Sequence, residues 1–217
     1  MRIDAHHHLW KYCAQEYSWI GDKMAVLRRD FLPPELGTLA EASSIGGTVA
    51  VQARQTLEET SWLVEMARTY PIIRGVVGWV PLRDPRIEEV LERLAGEQKL
   101  VGVRHVLQDE PENQLMEDAR FNAGVGMLRR YGLVYDILIH ERHLAQAIEF
   151  ADRHPNQRFV LDHLAKPRAS TGEMEPWRRR LGELARRENV YCKLSGLATE
   201  AQWDQWNVDE LAPYIQT

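Results

Sequence analysis

Cysteines, long apolar runs and an excess of basic residues are all scarce in this sequence, and each shortage excludes a class of protein. The two cysteines, Cys13 and Cys192, are far apart and form no Cys-x-x-Cys pair, which argues against a disulfide scaffold and favours a reducing compartment. No apolar run reaches the ~18 residues that a membrane-spanning helix needs. The 27 basic and 32 acidic residues give a net charge of -5, which offers no basic surface to nucleic acid or to an anionic membrane. We therefore predict a cytoplasmic protein that binds neither nucleic acid nor a membrane.

Glycine-rich phosphate loops are also missing, and their absence bears on the fold. The sequence contains neither Gly-x-Gly-x-x-Gly nor a Walker loop, although an open doubly wound sheet would place such a turn after an early strand. Apolar runs instead predict strands that start near residues 2, 47, 72, 100, 133, 159 and 190. Each is followed by a helical pattern, as a parallel sheet covered by helices requires.

We therefore predict an α/β fold of the TIM (β/α)8-barrel type. Seven βα units are present, and the eighth strand is missing from this chain. The whole of residues 1–217 would form one incomplete barrel domain. Three loops, at residues 11–32, 108–118 and 164–175, are expected to shape the pocket.

Several predicted helices carry readable start signals. Pro33-Pro34 opens a helix that runs to about Ser44. The sequence Thr56-Leu-Glu-Glu59 predicts a capping box at the start of a helix that runs to about Tyr70. A last helix, bearing Trp203, Trp206 and Leu211, is predicted over residues 200–214.

The first strand ends in imidazoles. Strand alternation places Asp4, His6 and His8 on one face of the strand. Two imidazoles two residues apart can bind one metal ion from the same side, and neutral imidazole is a common zinc ligand. A purification tag is a poor explanation, since only three consecutive histidines occur and strand-forming residues flank them. The pattern therefore indicates a metal site at His6 and His8.

Nearly every predicted strand ends in a polar or ionisable side chain. The active site of a βα barrel is built at the C-terminal ends of its strands, so this fold would bring these side chains together. A lone histidine at a strand end is more often a surface or hydrogen-bonded residue than a ligand. Five histidines at four strand ends indicate a site. The strand-end residues are His6, His8, Gln52, Arg54, Arg104, His105, His140, Asp162, His163, Lys193 and Ser195.

Four motifs, in their order and spacing, resemble those of a known family. They are Asp4-Ala-His-His-His8-Leu-Trp, Gly102-Val-Arg-His105, Val160-Leu-Asp-His163-Leu-Ala-Lys-Pro167 and Cys192-Lys-Leu-Ser-Gly196. Over essentially its whole length the chain resembles the amidohydrolase-2 family of TIM-barrel metal-dependent hydrolases, within the amidohydrolase superfamily. It looks most like the branch that contains sugar-acid lactonases. The resemblance implies that His6, His8 and His140 are metal ligands and that His163 lies near the metal-bound water.

The resemblance also implies a reaction, the hydrolysis of a lactone or related cyclic ester of a small sugar acid by metal-activated water. A divalent ion, zinc first and manganese as the alternative, lowers the pKa of a bound water from ~15.7 towards ~7 and polarises the substrate carbonyl. His163, preceded by Asp162, is the predicted catalytic pair that moves the proton.

The predicted substrate-binding residues are Gln52, Arg54, Arg104, His105 and Lys193. Cations among them suit an acidic substrate or a developing oxyanion. Strand alternation lets only one of Arg104 and His105 face fully inward. For Lys193, a buried salt bridge to a strand-end carboxylate is an equally good expectation.

One part of the family pattern is missing. The family normally continues with an eighth strand that bears an aspartate in a Gly-Ser-Asp-Trp-Pro-like context, and this sequence ends at Thr217 before it. The chain is then either a fragment or a natural variant whose barrel is open or completed by another chain. We expect exposed strand edges to favour a homo-oligomer, and a metal site that is weak or absent.

Two alternative functions stay open at this point. One is a non-oxidative decarboxylase of an aromatic or unsaturated acid on the same scaffold. The other is a catalytically impaired fragment or pseudoenzyme that lacks the aspartate of the eighth strand.

Overall fold

The computed structural model describes residues 1–110 and 114–217, so part of the predicted loop at 108–118 lies outside the described residues. Its internal contacts divide the chain into two compact units. Unit 1 consists of Met1–Val80 and Glu92–Arg104, and unit 2 consists of Pro81–Leu91 and His105–Thr217. The single domain over residues 1–217 stays a prediction.

All seven predicted strands are present, and each begins within one residue of its predicted start. The strands are β1 (Ile3–His7), β2 (Gly47–Val51), β3 (Ile73–Gly78), β4 (Leu100–Val106), β5 (Val134–Leu138), β6 (Phe159–Leu161) and β7 (Val190–Cys192). In unit 1, β1, β2, β3 and β4 pair in that order and in parallel. In unit 2, β5, β6 and β7 do the same. Successive strands are therefore neighbours within each unit, as a βα repeat requires.

Helices follow the strands in the predicted alternation. They are α1 (Pro33–Ala42), α2 (Leu57–Thr69), α3 (Ile87–Leu94), α4 (Gln114–Glu117), α5 (Ala119–Leu128), α6 (Leu144–Arg153), α7 (Trp177–Leu184), α8 (Leu197–Glu200) and α9 (Val208–Ile215). Among the helices of residues 1–110 and 114–217, none is long and apolar enough to cross a membrane.

Each unit has its own apolar core. In unit 1, α2 packs against β3 and buries Leu63, Val64 and Val76. In unit 2, an aromatic cluster joins α5, β5, α6 and β6. Its ring centroids lie 5.9 Å apart for Phe121 and Tyr135, 6.0 Å for Tyr135 and Phe150, and 5.3 Å for Phe150 and Phe159. These buried, mostly edge-to-face rings hold α5 and α6 against β5 and β6.

The predicted single helix over residues 200–214 is wrong. The structure has two helices in this region, α8 and α9, with non-helical residues between them. Asn207 is extended, and its side-chain oxygen accepts the backbone N–H of Glu210 at 3.1 Å. Asparagine favours this N-cap position, so a new helix begins there.

The predicted capping box of α2 is only half formed. Thr56 Oγ1 accepts the N–H of Glu59 at 3.1 Å, as predicted. The Glu59 carboxylate does not reach back to Thr56. It accepts the backbone N–H groups of Ala53 and Arg54 at 3.1 and 2.7 Å. Glu59 thereby ties the loop after β2 to the first turn of α2.

We expect Glu59 to make the stability of the chain depend on pH. Burial raises the pKa of Glu59 from 4.5 to about 7, although the N–H groups of Arg54 and Ala53 oppose the shift. Between those two values the folded chain holds a proton that the unfolded chain has released. The free energy of unfolding should therefore fall by about 3 kcal/mol as the pH rises from 4.5 to 7.

Urea unfolding of Glu59→Gln between pH 4.5 and 7.5 checks this expectation. Glutamine cannot ionise and keeps an oxygen acceptor. In Glu59→Gln, the decrease in the free energy of unfolding that we assign to Glu59 should therefore be absent. The matched control, Glu58→Gln, changes an exposed neighbour and should keep the wild-type profile. Parallel profiles for wild type and Glu59→Gln would show that Glu59 is not the group responsible.

Candidate active site

The imidazoles at the end of β1 meet as strand alternation predicts. The Nε2 atoms of His6 and His8 lie 3.2 Å apart, and the two rings are nearly perpendicular. His7 lies between them in sequence, and its Nε2 is 3.0 Å from Thr48 Oγ1. The His-x-His pair therefore presents two ring nitrogens to one point.

The chemistry of this pair fits a metal ion. His8 Nδ1 is 2.8 Å from the carbonyl oxygen of Val51. A carbonyl only accepts, so Nδ1 carries the hydrogen and Nε2 carries the lone pair. Burial, followed by the nearby Arg104 guanidinium, holds the pKa of His8 well below its ordinary value, so the ring is neutral. Zinc–nitrogen bonds of ~2.0–2.1 Å in a tetrahedral site place two ligand nitrogens about 3.4 Å apart, close to the spacing found here.

Gln52 and Arg104, both predicted to bind substrate, are held together beside His6. The Arg104 guanidinium donates to the side-chain and backbone oxygens of Gln52 at 2.7 and 2.6 Å. Its Nη1 lies 3.5 Å from His6 Nε2. Gln52 is fully buried and Arg104 is 4% exposed. Unit 1 therefore offers a fixed positive charge next to the imidazole pair, suited to an anionic oxygen.

Arg54 lies in different surroundings. Its guanidinium pairs with Glu16 at 3.0 Å and lines a cavity of about 280 Å³ that also includes Tyr17 and Trp62. Burial raises the pKa of Tyr17 to about 12, with Glu59 adding to the effect. Tyr17 is therefore a hydroxyl group at neutral pH. The substrate-binding role of Arg54 stays a prediction.

Asp162 and Lys193 belong to a buried ionic cluster in unit 2. Lys193 Nζ lies 2.9 Å from Asp162 Oδ1 and 2.5 Å from Asp136 Oδ2. Asp162 is fully buried, Asp136 is 2% exposed and the Lys193 side chain is 9% exposed. The salt bridge expected as the alternative for Lys193 is thus present, and one ammonium joins carboxylates from two neighbouring strands.

His163 stands in an unusual turn. It and the three residues after it, through Lys166, all have positive φ, between 51° and 58°. Left-handed backbone costs an ordinary residue ~1–2 kcal/mol, and runs of such residues persist only where the surroundings impose them. Trp177 Nε1 donates to the Leu164 carbonyl at 2.7 Å. His163 Nδ1 lies 2.9 Å from Ser195 Oγ. Strain is therefore concentrated at the predicted catalytic residue.

The two remaining predicted histidines also lie in unit 2. Burial, with Lys166 and Arg142 nearby, lowers the pKa of His140, which favours the neutral ring that a metal ligand needs. His105 Nε2 lies 3.0 Å from Glu110 Oε1, and its ring packs edge-on against Phe121. Arg104 faces His6, so consecutive residues of β4 point to different partners, as alternation predicts. The assigned roles of His140 and His105 stay predictions.

The family follows from comparison with known proteins. The amidohydrolase family profile matches residues 3–217. The chain belongs to the amidohydrolase family. It is 44% identical to L-fucono-1,5-lactonase of Burkholderia multivorans over 209 residues, which are 94% of this chain and 70% of that protein. It is 36% identical to L-fucono-1,5-lactonase of Burkholderia ambifaria over 200 residues, 92% of this chain and 69% of that protein.

Solved structures of amidohydrolases are similar to this chain as well. An amidohydrolase from Burkholderia multivorans, crystallised with bound zinc, is 42% identical and superposes with a TM-score of 0.92 over 100% of this chain and 77% of that chain. A second crystal form, with bound HEPES, gives a TM-score of 0.93. The family resemblance, the hydrolase class and the α/β fold of the (β/α)8-barrel type with seven units are therefore confirmed. The cytoplasmic location and the homo-oligomer stay predictions.

Two side chains of this amidohydrolase were not predicted to have a role. Asp136 lies inside the apolar strand Val134–Leu138, where a buried carboxylate needs a partner, and that signal could have been used. Ser195 was noted only as a polar strand end, although it lies two residues after Lys193. On one strand such a spacing places both side chains on the same face.

Proposed function

We propose that this amidohydrolase hydrolyses the lactone of a small sugar acid, with L-fucono-1,5-lactone and related aldonolactones as the first candidates. The identity of 44% with a lactonase over 94% of the chain carries the proposal. The geometry of the His6 and His8 pair supports it, because lactone hydrolysis needs an activated water and a polarised carbonyl. Two lactonase relatives also favour a lactone over the acid of the decarboxylase alternative.

We also propose that His6 and His8, in unit 1, bind a divalent ion, and the ligand role of His140, in unit 2, stays a prediction. The zinc bound by the solved Burkholderia multivorans relative favours zinc over manganese. When bound, the ion supplies a lowered pKa for water and a positive charge that polarises the lactone carbonyl. The chain contributes neutral imidazoles whose orientation is fixed from behind, as Val51 does for His8.

In the proposed reaction the oxygen of water forms a bond to the lactone carbonyl carbon, and the bond from that carbon to the ring oxygen breaks. His163 accepts a proton from the water and returns it to the ring oxygen as that oxygen leaves, so the product is an open hydroxy acid. Arg104, held rigid by Gln52, stabilises negative charge on the substrate. Lys193 keeps the Asp162 carboxylate in place beside His163.

A pH-indicator assay with a panel of aldonolactones tests the proposal. We expect acid release above the spontaneous rate, fastest for L-fucono-1,5-lactone, and a ~10²–10⁴-fold lower kcat/KM for His163→Asn, because general acid–base catalysis contributes that much. Preparations of His163→Asn also report any contaminating lactonase. Folded, zinc-loaded protein that opens none of the lactones would overturn the proposal. Release of carbon dioxide from an aromatic acid would replace it with the decarboxylase.

A further inference from the structure

We propose that Ser195 is a positioning residue whose hydroxyl oxygen accepts the Nδ1 hydrogen of His163, leaving Nε2 as the basic nitrogen. The proposal rests on the proposed function in one respect only, namely that His163 moves the proton. The contact itself is a property of unit 2. His163 Nδ1 and Ser195 Oγ lie 2.9 Å apart, and both residues are half-buried.

The segment after β7 contacts two consecutive residues at the end of β6. Lys193 reaches Asp162 at 2.9 Å, and Ser195, two residues later, reaches His163. The two strands are paired in register at Leu161 and Cys192, directly before these contacts. Strand pairing therefore delivers Lys193 and Ser195 to the predicted catalytic pair with little freedom to shift along the chain.

Gly196 provides an independent observation at the same ring. Its φ is +75°, and a Cβ added there would lie 2.8 Å from both Cβ and Cγ of His163 and 2.9 Å from Nδ1. Real Cβ atoms essentially never come so close to a neighbour. Only glycine lets the backbone approach the imidazole this far, so the ring is held by the Gly196 backbone and by the Ser195 hydroxyl together.

The left-handed turn explains why the ring needs such support. His163 through Lys166 all have positive φ without a glycine among them. Contacts from outside the turn must maintain this backbone. The bond from Trp177 to the Leu164 carbonyl holds the turn one residue beyond His163. Ser195 is the side chain that holds the ring itself at Nδ1.

The direction of the hydrogen bond decides the chemistry. A hydroxyl can donate or accept, whereas neutral imidazole has one nitrogen of each kind. If Ser195 donated to Nδ1, the ring hydrogen would be on Nε2, and that nitrogen could not accept a proton from water. The base role of His163 therefore requires Nδ1–H to donate to Ser195 Oγ, the same logic by which a third group orients the base of a nucleophile–base pair.

Histidine NMR tests the tautomer without any substrate. Protein labelled with ¹⁵N-histidine is recorded at a pH where His163 is neutral, and its signals are assigned by their loss in His163→Asn. We expect the Nδ1–H pattern in wild type and in Ser195→Thr, which keeps the hydroxyl. Ser195→Ala should shift the population towards Nε2–H, and Ser195→Cys should do so partly, because sulfur is a weak acceptor of similar size. An Nε2–H pattern in wild type, or no change in either Ser195→Ala or Ser195→Cys, would overturn the proposal.

Steady-state kinetics with a lactone that the wild-type protein hydrolyses provide the second readout. We expect Ser195→Ala to lower kcat ~10- to 100-fold with KM changed less than about twofold, and Ser195→Thr to recover most of the loss, as for other groups that orient a functional histidine. If Ser195→Ala fails to fold, Ser195→Cys carries the same comparison. A tautomer shift without loss of kcat would contradict the positioning role. Wild type that opens no lactone would instead defeat the proposed function, and the NMR result would still decide the contact.

Discussion

Replacing Lys193 with methionine is expected to lower the free energy of unfolding by ~3–5 kcal/mol, because the change removes a cation that two buried carboxylates share. Lys193 Nζ contacts both Asp136 and Asp162, and neither carboxylate is more than 2% exposed. Methionine fills a similar volume with an unbranched chain, so the loss of charge dominates over the loss of packing. Urea or guanidinium unfolding at neutral pH measures the difference.

A matched change at the surface of the same unit provides the control. Arg130 pairs with Glu88 at 2.9 Å, but the two side chains are 65% and 50% exposed. Arg130→Met should therefore cost less than ~1 kcal/mol, as solvent-exposed ion pairs usually do. Equal losses for Lys193→Met and Arg130→Met would show that burial of the cluster does not set its contribution.

Strand positions could be predicted from the sequence because they depend on local patterns. Apolar runs bounded by polar or turn-forming residues placed all seven starts within one residue. The error at residues 200–214 has the same origin. Trp203, Trp206 and Leu211 lie on both sides of Asn207, and the sequence prediction assigns them to one helix. The side-chain bond of Asn207 to the N–H of Glu210 shows that a new helix begins there.

In the candidate site, too, features that depend on local sequence could be predicted, and contacts between distant residues could not. His6 and His8 share a face because alternation is a property of the strand itself. Asp136 and Lys193 are 57 residues apart, and alternation indicates which face a residue occupies without naming its partner. Glu59 likewise fits a capping box by sequence, yet it bonds to the loop after β2. Contacts between side chains on different elements can be identified only once the fold is known.

The turn at His163 shows the limit most clearly. Glycine in the sequence is the usual sign of residues with left-handed backbone conformation. The segment Asp162-His-Leu-Ala-Lys166 contains no glycine. The conformation is imposed by contacts from Trp177 and from the segment after β7. Strain that is imposed from outside a segment leaves no local pattern, although it marks a residue whose orientation the fold enforces.

His8→Gln is expected to weaken zinc binding by about 10²–10³-fold. Structural zinc sites with four ligands bind with ~10–16 kcal/mol, or about 3 kcal/mol per ligand, and each 1.4 kcal/mol is tenfold in affinity. Glutamine can keep a donor for the Val51 carbonyl, but it lacks the imidazole nitrogen that lies 3.2 Å from His6 Nε2. Competition with a chromophoric chelator measures the dissociation constant without substrate.

His7→Gln is the matched control, since it makes the same change one residue away on the other face. His7 Nε2 lies 3.0 Å from Thr48 Oγ1, and glutamine keeps a polar group that can reach that hydroxyl. Zinc affinity should therefore stay within about threefold of wild type, well below the effect of losing a ligand. An equal loss of zinc affinity in both variants would mean that the substitutions disturb the folding of β1, and that the loss in His8→Gln does not come from a missing ligand. Unchanged affinity in both variants would remove His8 from the metal site, because the loss of a ligand must weaken zinc binding.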